Sequence, residues 1–85
     1  MSDYIDPSEA TRVRVYKEDG GWAIDAASDS GEYTEACWNR DGHPDKAITR
    51  DRAMQMVPEF AAAVGLPSGL PIYVKQEGST VWARA

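Results

Sequence analysis

Only one segment of this 85-residue chain has a helical period, and the rest of the chain must supply a layer for it to pack on. In residues 48–65, ITRDRAMQMVPEFAAAVG, the apolar residues Ala53, Val57, Phe60 and Val64 fall at i, i+4, i+7 and i+11, one stripe of a helix. Met56 widens that stripe. Thr49 is placed to cap the first turn through its hydroxyl, with Ile48 and Ala53 at the staple positions around it. Gly65 offers a left-handed C′ residue, and Pro67 follows where a helix can no longer continue. Pro58 lies too deep to be a first-turn proline, so it removes one ladder hydrogen bond and predicts a kink near Met54.

The flanking segments alternate with period two. TRVRVYK puts Val13 and Val15 on one face and Arg12, Arg14 and Tyr16 on the other. After the Asp19-Gly20 turn signal, WAIDAAS alternates again, with Trp22, Ile24 and Ala26 on one face. A hairpin closed there sets Val15 opposite Ile24, Val13 opposite Ala26 and Arg14 opposite Asp25, a pairing of opposite charges on the outer face. Residues 32–39, EYTEACWN, predict a third strand, with Thr34, Ala36 and Trp38 on one side and Tyr33, Glu35 and Cys37 on the other. Beyond the helix, PIYVKQEGSTVWARA alternates on both sides of Glu77-Gly78. A two-residue turn there pairs Val74 with Val81, Ile72 with Ala83 and Tyr73 with Trp82. Leu66 and Leu70 are placed to seal the corner between helix and sheet.

The expected architecture is an α+β two-layer sandwich: an antiparallel sheet of four to five strands with one helix across one face, in the order β-β-(β)-α-β-β. Residues 1–10 read as a flexible acidic tail and residues 11–85 as a single domain. The element order and the Asp19-Gly20-Gly21-Trp22 turn resemble those of small ββαβ-type domains of bacterial and phage proteins, and no function is carried over from that resemblance.

Composition excludes several classes. The longest apolar runs are far too short to span a membrane, and the acidic, polar start MSDYIDPSEA is unlike a signal peptide, so a cytoplasmic location is expected. The single Cys37 rules out a disulfide within the chain. The net charge of −5 sits almost wholly in the first half and disfavours phosphate backbones, which makes nucleic acid an unlikely partner. An arginine excess over lysine and a high alanine content point to a GC-rich genome, and hence to an actinobacterial or phage-encoded accessory protein.

A sandwich with one helix leaves one sheet face uncovered. Arg12, Arg14, Tyr16, Tyr73, Trp82 and Arg84 are expected there, a set with the composition of a contact surface. The expected partner is another protein or a second copy of this chain, with a single-stranded nucleic acid stacked on the same rings as the alternative. The Asp41-Gly42-His43-Pro44-Asp45 run groups an imidazole with two carboxylates, but a solvated turn accounts for it without a site. Cys37 has no nucleophile motif around it and reads as a half-buried strand cysteine. No familiar ligand spacing, calcium loop or phosphate loop occurs, so no metal, cofactor or enzymatic activity is expected.

Overall fold

The computed structural model describes residues 4–18, 21–38, 49–76 and 78–85. At its centre lie β2 (Arg12–Glu18) and β3 (Gly21–Ala27), an antiparallel pair. Their register is the one the charges and alternation require: Val15 faces Ile24, Val13 faces Ala26 and Arg14 faces Asp25. The turn residues Asp19 and Gly20 lie outside the described residues. Helix α1 (Arg50–Val64) crosses β2 and β3 on the side of the valines. The Thr49 hydroxyl accepts the Arg52 amide at 3.1 Å, and Gly65 closes the helix at φ 83°, a left-handed conformation that a Cβ would strain. Pro58 sits inside α1 on its exposed side, where it removes the ladder donor that the Met54 carbonyl would otherwise accept from. Phe60, Ile24 and Val15 are fully buried between the layers, joined by Val13, Ala26, Val57 and Met56. Trp38 meets Phe60 edge to face at 5.4 Å, and Leu66 and Leu70 pack at the rim of this core.

The α+β class and the single helix layer hold, but the sheet differs from expectation. It is mixed rather than antiparallel and, among the described residues, has six strands, which lie in the order β1 (Tyr4–Ile5), β4 (Tyr33–Thr34), β3, β2, β5 (Ile72–Lys75) and β6 (Ala83–Arg84). After α1 recrosses the sheet, β5 (Ile72–Lys75) runs parallel to β2, with Val13 beside Ile72 and Val15 beside Val74. The helix supplies the long crossover that a parallel neighbour needs. At the other edge β1 (Tyr4–Ile5) pairs parallel with β4 (Tyr33–Thr34). Residues 4–10, part of the segment read as a tail, therefore lie against the sheet. Asp6 caps a single 3-10 turn, Pro7–Glu9, by accepting from the Ser8 amide at 2.9 Å, and Ala10 is buried.

The third strand is shorter than residues 32–39 for a local reason. Ala27 pairs with Tyr33 and Ile24 bridges Trp38, so three steps along β3 match five along the partner segment. The Thr34 hydroxyl bridges this interruption, donating to the Ala36 carbonyl at 3.0 Å and accepting from the Ala26 amide at 3.4 Å. The two extra residues leave the alternation intact, so Thr34 and Trp38 still face the helix.

The last hairpin has slid by two residues. β6 (Ala83–Arg84) sets Ala83 beside Val74 and Arg84 beside Tyr73, in place of Val81 and Trp82. The connecting turn is accordingly longer than two residues, and Val81, expected in the core, is 69% exposed. A shift by two preserves which face each residue occupies.

No helix among the described residues is long and apolar enough to cross a membrane.

Candidate functional site

On the side of the sheet without the helix, β3 presents only Ala23, Asp25 and Ala27, yet all seven of its residues are buried. Longer side chains of the adjoining strands overhang these short ones. Arg14 reaches across from β2 and donates from Nε and Nη2 to the two carboxylate oxygens of Asp25, at 2.7 and 2.6 Å. This is a bidentate pair, and it is largely dry: the side chains of Arg14 and Asp25 are 20% and 5% exposed. The Tyr16 hydroxyl lies 3.5 Å from the same carboxylate and 3.4 Å from the Cys37 thiol. Burial pushes the Asp25 carboxyl above its ordinary value, an effect that the hydrogen bonds and charge of Arg14 offset only in part. The same hydrogen bonds raise Arg14.

Trp82 covers this pair. It precedes β6, and the sheet order β2-β5-β6 brings it back over β2. The Arg14 guanidinium lies 5.3 Å from the Trp82 ring centre and 5.5 Å from that of Tyr33. The Lys75 ammonium is 5.0 Å from the same indole, and Tyr16 meets it edge to face at 6.0 Å. Each contact is of the cation–π or aromatic-pair kind. Nearer the β2 start, the Arg12 guanidinium lies 5.2 Å from the Tyr73 ring centre and is ion-paired with Asp29.

Between these groups is a hollow of about 290 Å³, lined by Arg14, Tyr16, Asp25, Tyr33, Lys75 and Trp82. A second, of about 190 Å³, adjoins it between Arg12, Asp29, Tyr73 and Trp82. A larger hollow, about 620 Å³, lies elsewhere among the described residues, between Ile5, Pro7, Trp38 and Val64, and the charged residues lining it are Asp6 and Glu35.

Of the residues singled out from sequence, Arg12, Arg14, Tyr16, Tyr73 and Trp82 come together on this face. Arg84 lies at its edge, exposed and opposite Tyr73, and makes no ion pair or ring contact among the described residues. Asp25, Tyr33 and Lys75 belong to the site although the sequence-based set omits them. Alternation already places Lys75 on the face of Tyr73 and Asp25 opposite Arg14; what it does not supply is that β5 lies beside β2. The His43 loop lies outside the described residues. Among the described residues no group of three or more His, Cys, Asp and Glu side chains is arranged to hold a metal ion.

Compared with known proteins, the chain matches no family model, no curated protein and no solved structure.

Proposed function

We propose that this chain is a small non-enzymatic interaction module that binds a partner protein, or a second copy of itself, through the sheet face that lacks the helix. The observation that carries this reading is the seat of Trp82: a half-buried indole held by Arg14, Lys75 and Tyr16 on a desolvated ion pair. Aromatic and arginine side chains already fixed in place lose little entropy on binding, which is what an anchor residue requires. Tyr73 is the second anchor, with Arg12 beside it and Arg84 at the rim. The lone Cys37, which can form no disulfide within the chain, is consistent with a reducing, cytoplasmic setting.

A second reading, single-stranded nucleic-acid binding by the same residues, is favoured by the alternation of cations with rings on this face. It is opposed by the net charge of −5 and by ring faces that already carry cations of the protein itself.

Light scattering after size exclusion on wild type and Trp82→Ala tests the first reading. A wild-type dimer that becomes monomeric in a still-folded Trp82→Ala variant supports self-association through this face. Partner capture from a host lysate that Trp82→Ala abolishes supports a heterologous interface. If Trp82→Ala changes neither mass nor capture, the face is not an interface.

A further inference from the structure

The hollow beneath Trp82 has a charge balance that specifies its ligand. Asp25 neutralises Arg14, using the Nε and Nη2 donors and leaving Nη1 of the guanidinium unspent. Lys75 is the other cation lining the hollow; its ammonium lies against the indole, and no carboxylate among the described residues is within ion-pair distance of it. Among the described residues the hollow thus holds one positive charge without a carboxylate partner, walled by the rings of Tyr16, Tyr33 and Trp82. At about 290 Å³ it has room for one acidic side chain, and the lysine ammonium with Nη1 of Arg14 offers donors on two sides of a planar acceptor.

The wider face repeats the pattern. Among the described side chains, Arg12, Arg14, Lys75 and Arg84 gather on it against Asp25 and Asp29, while the whole chain carries −5. Positive charge concentrated on one face of an acidic protein selects a negatively charged partner surface. A second copy packed face to face across a two-fold axis would set the same cations against each other, which disfavours it as the occupant.

Granting that this face is an interface, we infer that the Trp82 hollow receives a glutamate or aspartate side chain from an acidic segment of a partner protein, its carboxylate held by Lys75 and Nη1 of Arg14. A phosphodiester also carries one negative charge. It comes, however, as part of a polyanion that the acidic remainder of the chain repels, and its bases would have to displace cations from the rings they need.

The test is a titration of the isotope-labelled protein, followed by NMR, with a blocked hexapeptide alternating Glu and Leu, its Gln-for-Glu counterpart and a short oligothymidylate. The expected result is that the acidic peptide moves the Trp82 indole N–H and Lys75 signals and the Gln peptide does not. Lys75→Met, which keeps the aliphatic stem over the indole, then weakens binding roughly fivefold. Lys17→Met, on the opposite face of β2, leaves it unchanged, and the spectra of both variants report that the fold is intact. Equal binding of the Gln peptide overturns the inference, because the carboxylate is then not what is recognised. Binding of the oligothymidylate alone, falling steeply with salt, overturns it in favour of nucleic acid. No ligand binding, with a wild-type dimer that Trp82→Ala dissociates, overturns the acidic partner but keeps the face as an interface between copies. No binding with a monomer in both proteins overturns the inference and the interface together.

Discussion

The two faces of strand β2 bury their neighbours by opposite means. On one side Val13 and Val15 meet α1 through shape and dispersion, around Phe60. On the other, Arg14 and Tyr16 close over β3 through an ion pair and ring contacts, with Trp82 as the cover. Both leave β3 dry. The helix side obtains this from groups that lose nothing on leaving water. The other side must compensate every charge it desolvates, and so it depends on partners in a way that the valines do not. If this face is the interface proposed above, its side chains are held in place before a partner arrives.

Three substitutions test that contrast. Phe60→Ala should have the largest effect, a loss of about 3–5 kcal/mol in urea unfolding, because a fully buried ring is removed and Trp38 loses its edge-to-face contact. A loss below about 2 kcal/mol would mean that the helix layer collapses into the space, and that packing there is loose. Arg14→Met should cost about 2–4 kcal/mol, because it strands the Asp25 carboxylate in a dry site. The double variant Arg14→Met, Asp25→Leu should recover most of that loss, since the cost lies in the unpaired charge rather than in the missing bond. If Arg14→Met alone costs under about 1 kcal/mol, the pair behaves as a solvated surface bridge and the contrast between the faces disappears.

The smallest effect is one of pH. Burial raises Asp25 above its ordinary value of 3.8, so the folded state holds this proton more tightly than the unfolded chain does. Between 3.8 and the raised value, stability from this group therefore falls as pH rises and returns as pH drops. Asp6 and Asp29 work in the other direction. The Ser8 backbone hydrogen bond lowers the first and the Arg12 hydrogen bond the second, so their contributions are present above 3.8 and lost as pH falls through their folded values. Subtracting the stability–pH curve of Asp25→Asn from that of wild type isolates Asp25. The difference should grow as pH falls through its window, and a flat difference would show that Arg14 fully offsets the burial.

What was legible in the sequence was local. The β2–β3 register could be read because an Asp-Gly turn, two valines and the Arg14–Asp25 pair all demand the same alignment. The caps of α1 were legible at Thr49 and Gly65 for a similar reason, since each rests on one residue's own chemistry. Neighbourhood was not legible. Alternation states which way a side chain points but not which strand lies beside it, so the parallel placement of β5 against β2 left no mark in the pattern. That placement is what gathers Lys75 and Trp82 around Arg14, so the shared face of Arg12, Arg14, Tyr16, Tyr73 and Trp82 could be read, while the grouping of Asp25, Tyr33 and Lys75 with them around a central hollow could not. Glu77-Gly78 suggested a tighter turn than forms, because nothing in the alternation distinguishes registers two residues apart. The two-residue strand β1 is too short to show any period.

The position of β5 also orders events during folding. The β2–β3 hairpin joins residues close in sequence and can form within microseconds of synthesis. β5 reaches the far side of β2 only after the whole α1 segment has been made and laid across the sheet. Until then β2, a central strand of the finished protein, is an edge with a row of unpaired amides and carbonyls open to other chains. The interval before β5 docks is therefore when the chain is most exposed to misassociation, and slowing that step in refolding experiments should raise aggregation while leaving the stability of the native state unchanged.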